Sequence, residues 1–118
     1  MNTASKEEVE EFLGDLKDKL DVTNKVIFED EDKKDMATIL KLELLSENER
    51  INYVKRLTFK EYYQGPLDDT KHGGVYWVFG KQIKGKEIYI KINIGKEDYP
   101  VIIISFHISD HKMEFPLK

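Results

Sequence analysis

Ile88, Ile90, Ile92 and Ile94 stand at every second position of one stretch, with Glu87, Tyr89, Lys91 and Asn93 between them. Side chains alternate across a strand with a period of two, so this pattern describes an extended strand with one buried face. Such a strand needs partners, and suitable runs flank it. Val75–Lys81 and Val101–Ile108 are rich in β-branched and aromatic residues. The intervening Lys84-Gly85 and Gly95–Pro100 are short enough for hairpin turns. Short links favour antiparallel neighbours, because parallel strands need long crossovers. An antiparallel meander is therefore expected after Gly74. In its last strand Ile102, Ile104, Phe106 and Ile108 are expected to face the core, leaving Val101, Ile103, Ser105 and His107 opposite.

Before Gly74 the spacing changes. Ser5 and Glu8 form a capping-box pattern, followed by Val9, Phe12, Leu13, Leu16 and Leu20 at helical spacing. Lys25–Glu29 predicts a short strand, Asp30–Asp35 a charged turn without the spacing of a calcium loop, and Met36, Ile39 and Leu40 a second helix toward Leu45. Ser46 with Glu49 opens a third helix through Ile51, Val54 and Leu57, and Thr58 with Glu61 caps a short turn. Gln64–Gly74 is rich in turn residues and predicts the longest loop. The tail, Met113–Lys118, suits an edge segment, since Pro116 opposes a central strand. The fold class expected is α+β. N-terminal helices pack on a small, mostly antiparallel sheet with a C-terminal β-meander, in a single domain over residues 1–118.

Composition narrows the function classes. With 118 residues there is room for one core, and a hydrophobic fraction of 40% is that of an ordinary globular chain. The absence of cysteine removes disulfides and thiolate zinc sites. The polar, acidic stretch from Met1 to Glu11 is unlike a secretory signal, and no apolar run approaches the roughly 18 residues of a membrane span. The net charge of −4 hides an asymmetry. Residues 1–54 hold 8 Lys and Arg against 15 Asp and Glu, whereas residues 55–118 hold 11 against 8. An acidic half beside a mildly basic one fits a protein that meets a polyanion with one surface. Acidic helices that serve only solubility give the same asymmetry.

Chemistry is expected on the sheet face opposite the isoleucine ladder, where Tyr89, Lys91, Ser105 and His107 come together, with Tyr76 beside them. An imidazole can move a proton near neutral pH, and a lysine can offset charge building on a phosphate. A tyrosine can stack on a base or hydrogen-bond a phosphate oxygen. In RNA the nucleophile is the neighbouring 2′-hydroxyl, so this set suits phosphodiester cleavage without a metal. A solvent-facing sheet surface of no catalytic use is polar too. Other patterns carry less. His107 and His111 are four apart, but a zinc pair of that spacing belongs on a helix. Gly80–Lys86 matches the G-x-x-x-x-G-K skeleton of a phosphate loop, yet Glu87 follows it and no helix is expected there.

The run Val75–Ile92, followed by Val101–His107, resembles the core of MqsR-type toxins, the motility quorum-sensing regulator family of type II toxin–antitoxin modules. Gly85 with the Ile88–Ile92 stretch, and Ile104-Ser-Phe-His107, are its most specific pieces, and the likeness covers roughly residues 57–108. The resemblance implies a RelE-like fold and a metal-independent endoribonuclease, an mRNA interferase of the cytoplasm. It also implies an mRNA substrate and a cognate antitoxin, with no cofactor, no membrane and no DNA bound by the chain alone. Position by position, Tyr89 falls on the family's active-site tyrosine. His107 stands where better-known members have lysine after Ser-Phe, Gln64 where they have another functional lysine, and Tyr76 near their active-site glutamine. The catalytic set is then His107, Tyr89 and Lys91. Tyr76, Gln64 and Lys81 are expected to bind substrate, with His72 in reserve for a second proton transfer. A non-enzymatic immunity or regulatory module, using acidic residues such as Glu29–Asp32, is the competing expectation.

Overall fold

The computed structural model describes residues 3–23, 25–29 and 45–118. Helix α1, Lys6–Val22, starts at the expected capping box: the Ser5 hydroxyl accepts from the Glu8 amide and the Glu8 carboxylate accepts from the Ser5 amide. Val9, Phe12, Leu16 and Leu20 form its buried stripe. Strand β1, Val26–Phe28, follows. The charged turn at 30–35 and the helix expected from Met36 toward Leu45 lie outside the described residues, apart from Leu45 itself, which is buried. Helix α2, Glu47–Lys55, opens on the second capping box at Ser46 and Glu49. A 3₁₀ turn, Phe59–Glu61, opens on the third at Thr58.

Four strands complete the chain: β2 Tyr62–Asp68, β3 Val75–Ile83, β4 Lys86–Asn93 and β5 Val101–Ile108. They form one mixed sheet in the order β1-β5-β4-β3-β2. Strands β2 to β5 are the antiparallel meander, and β1 lies parallel to β5. The fold is therefore α+β, with the helices on one face of the sheet. Phe12 of α1 stacks on Trp77 of β3 at 4.6 Å between ring centroids, and the Tyr62 ring meets Trp77 and Phe79 edge-on. Ile88, Ile90 and Ile92 are fully buried beneath this layer.

Three expectations about the sheet are corrected. The first half of the Gln64–Gly74 loop is strand: β2 runs to Asp68, with two irregularities in its pairing to β3. Gly65 and Pro66 read as loop residues, but an edge strand with bulges tolerates both. Gly65 takes a φ of +125°, and a β-carbon there would meet the Trp77 backbone at 3.0 Å. The second correction concerns β5. Lys91 pairs with Ser105 but Ile92 pairs with Ile103, so Ile104 is an extra residue and the alternation changes phase there. Val101 and Ile103 are buried in the core together with Phe106, while Ile102 and Ile104 are only partly covered. The tail, Ser109–Lys118, is not an edge strand. It turns back and crosses the sheet face away from the helices, where the Glu87 carboxylate accepts from the Met113 amide at 2.9 Å.

Candidate functional site

The pairing of β3, β4 and β5 builds the site in cross-sheet rows. One row holds His107, Tyr89 and Gly80, and the next holds Ser105, Lys91, Val78 and Gln64. Neighbouring rows on one face are two residues apart, about 7 Å. Tyr76, beside the core-facing Trp77, belongs to the same open face, and the Lys91 ammonium lies 4.5 Å over its ring. The bulge at Ile104 is what keeps Ser105 and His107 on this face while Val101 and Ile103 remain buried. Without the phase change one half of β5 would present its apolar side to water.

The rings of Tyr89 and His107 stack at 5.3 Å with 14° between their planes. His107 Nδ1 lies 3.0 Å from the Ile108 carbonyl oxygen. A carbonyl only accepts, so Nδ1 carries the hydrogen, and in the neutral ring the lone pair sits on Nε2. Burial raises the Tyr89 phenol above its ordinary value, and Tyr76, Tyr63 and Asp110 add to the effect. Tyr89 is therefore a hydrogen-bonding phenol, not a phenolate, at neutral pH.

The tail covers part of this face. Val78 and Met113 are buried yet stand apart from the main core beneath the helices. Gly80 is the reason the tail can lie close: a β-carbon there would come within 2.8 Å of the Met113 sulfur and the Phe115 ring. Just before that contact the chain turns, with the Ser109 hydroxyl donating to the His111 carbonyl. His111 thereby reaches Tyr63 and Tyr89. Its Nε2 is 3.2 Å from the Tyr63 hydroxyl, its Nδ1 is 2.8 Å from Asp110, and its ring centre is 6.5 Å from that of Tyr89.

Of the residues singled out from sequence, Tyr89, Lys91, His107, Tyr76 and Gln64 share the open face. Lys81 does not. It pairs in register with Ile88, points to the helix side, and binds Glu61 at 2.9 Å. His72 is also elsewhere, in a second cluster where the β2–β3 loop meets β1 and β4. Its Nε2 is 2.6 Å from Glu29 and its Nδ1 is 2.9 Å from Asp69, whose carboxylate also accepts from Asn93. Asn93, which anchors this cluster to β4, stands four residues from Tyr89, about 13 Å along the strand, so the cluster is separate from the Tyr89–His107 row.

Charges in the second cluster support one another. Burial would raise the Asp69 carboxyl, but hydrogen bonds from Asn93 and from His72 outweigh it and hold the group at about 2. The Glu29 carboxylate, against the opposing effect of burial and with help from Asp69, raises the His72 imidazole above its ordinary value. His72 thus joins two carboxylates, a contact that favours its protonated form, and holds the loop.

Sequence reasoning missed Tyr63, Asp110 and His111. Tyr63 is hidden in a stretch that reads as a short turn leading into a loop, whereas it belongs to β2, on the face opposite the buried Tyr62. The spacing of His107 and His111 points only to a zinc pair, yet the two rings are engaged differently. No group of three or more His, Asp or Glu side chains placed to hold a metal ion occurs among the described residues. No described helix is long and apolar enough to cross a membrane. In comparisons with known proteins, no family model, no curated protein and no solved structure matches this chain.

Proposed function

We propose that the chain is a metal-independent endoribonuclease of the RelE-like, MqsR-type kind, the toxin of a cytoplasmic toxin–antitoxin pair whose substrate is mRNA. The observation that carries this reading is the stacked Tyr89–His107 pair, with Lys91 one row away on the same open face. His107 Nε2 takes the proton of a 2′-hydroxyl, Lys91 offsets the charge gathering on the phosphate, and Tyr89 positions the substrate by its ring or its hydroxyl. Tyr76 and Gln64 extend the surface along which a strand of RNA lies. The cognate antitoxin silences the toxin by covering this face.

The test is induction of the wild-type chain and His107→Ala in a bacterial host, following growth and mRNA integrity at equal folded expression. Growth arrest with mRNA cleavage, both abolished by His107→Ala, is expected. Normal growth and intact mRNA with the wild-type chain sink the reading.

One observation favours a second reading, a non-enzymatic interaction module. Ile27 and Tyr99 are exposed and line a hollow of about 510 Å³ together with Ile102, Pro100 and Lys96. Exposed apolar side chains gathered around one depression suit a protein partner. Tight partner binding by a chain that leaves RNA intact would establish that alternative.

A further inference from the structure

Cleavage of RNA by the 2′-hydroxyl needs two proton transfers, one from the nucleophile and one to the departing 5′-oxygen, and His107 supplies only one at a time. His72 cannot supply the other, because both of its ring nitrogens are engaged by carboxylates in a separate cluster. Only one further histidine is present in the chain, and it is His111. Its ring meets the Tyr89 ring edge-on, while His107 stacks on that same ring face to face. Tyr89 therefore stands between two imidazoles, one from β5 and one from the tail.

We propose that His111 is the general acid of the reaction, with Asp110 as the residue that positions it. This rests on the ribonuclease reading above. The tail is built to hold the ring in place. The Ser109 amide bonds the Glu87 carbonyl, the Ser109 hydroxyl bonds the His111 carbonyl, and Met113 is locked by Glu87 and packed over Gly80. Asp110 accepts from Nδ1. In the doubly protonated ring Nε2–H then points at the Tyr63 oxygen, and that proton is the one given up.

The step balances without a further reactant. His107 Nε2 takes the 2′-hydroxyl proton as the 2′-oxygen bonds to phosphorus. The bond from phosphorus to the 5′-oxygen breaks, and His111 protonates that oxygen. The products are a 2′,3′-cyclic phosphate and a 5′-hydroxyl, and the two histidines exchange their proton states with solvent before the next turnover.

The experiment compares the full chain, His107→Ala, His111→Gln and Asp110→Asn on an oligoribonucleotide and on the same oligonucleotide with sulfur in place of the scissile 5′-oxygen. A thiolate leaves without protonation, so the second substrate needs no general acid. Glutamine at 111 keeps a polar group near Tyr63, and His111 is exposed, so the fold is retained; circular dichroism verifies this. His111→Gln is expected to slow cleavage of ordinary RNA on the order of 10²–10⁴-fold and to recover on the sulfur substrate. His107→Ala loses activity on both, and Asp110→Asn behaves as a weaker His111→Gln. Wild-type rates in His111→Gln, or equal loss on both substrates, overturn the assignment while leaving the ribonuclease reading in place. A wild-type chain that cleaves neither substrate removes both.

Discussion

Tyr89 and His107 face each other across β4 and β5 as direct register partners, with their rings stacked at 5.3 Å. A cross-strand aromatic pair of this kind contributes roughly 0.2–1 kcal/mol to a sheet. The stack also fixes the imidazole plane, so one contact serves both the sheet and the proposed chemistry.

Exchanging the tyrosine separates those two uses. Tyr89→Phe keeps the ring and is expected to leave the thermal midpoint within a degree or so, on the order of a few tenths of a kcal/mol. A phenol hydrogen bond to a phosphate is worth roughly 1.5–3 kcal/mol, so cleavage by Tyr89→Phe is expected to fall about tenfold or more. Tyr89→Ala loses the stack as well, with a measurable drop in stability. Unchanged cleavage by Tyr89→Phe would confine the residue to stacking.

Lys91 and Lys81 make a matched pair of controls, because they project from opposite faces of neighbouring strands. Lys91→Gln is expected to weaken binding of single-stranded RNA and to reduce the salt slope of log K by about 0.7, the share of one phosphate contact. Lys81→Gln breaks its pair with Glu61 and costs at most about 1 kcal/mol of stability. It leaves RNA affinity unchanged. Equal loss of affinity in both variants would show that RNA does not favour the open face.

Much of this layout was legible in the residues themselves. The isoleucine ladder of β4 and three capping boxes mark elements that the structure shows with their expected starts. Those signals are local: a strand's period and a helix's first turn are each written within a few positions. The phase of β5 is not local. Ile102, Ile103 and Ile104 are chemically equal, and only the bulge opposite Lys91 and Ile92 decides which of them is buried. The joining of His111 to Tyr63 is likewise a contact between residues 48 apart, made by a tail whose path depends on a glycine in β3. Site residues on regular strands could therefore be grouped from sequence, and those brought in by bulges and tails could not.

That glycine is open to direct test. Gly80→Ala places a methyl group where the Met113 sulfur and the Phe115 ring now lie. The ring cannot yield as a flexible side chain would, so the tail is expected to lift from the sheet at a cost of about 1–3 kcal/mol. Hydrogen exchange at the Met113 amide, now bonded to Glu87, should accelerate while the β4 amides stay protected. Protection of Met113 equal to the wild type would mean that the tail adjusts around the methyl group.

The His72 cluster ties stability to pH from two sides. Asp69 is held at about 2 against an ordinary 3.8, so its stabilisation is present above the ordinary value and lost as pH falls through about 2. His72 is raised above 6.5, so its share is complete below that value and lost as pH rises through the higher folded value. Both are in force together between about pH 4 and 6.5. The Asp69 share is about 1–2 kcal/mol once solvent screening is allowed for. The groups facing His72 are Glu29 and Asp69, with Lys71 3.6 Å from Glu29 and Asn93 bonded to Asp69. Denaturant midpoints for the wild type and His72→Gln should therefore differ by a constant amount across that window and converge at alkaline pH. Asp69→Asn should remove the loss of stability on the acid side. A wild-type advantage over His72→Gln that persists undiminished to about pH 9, well above an ordinary imidazole, would show that His72 stabilises the loop as a neutral ring rather than as the cation between two carboxylates.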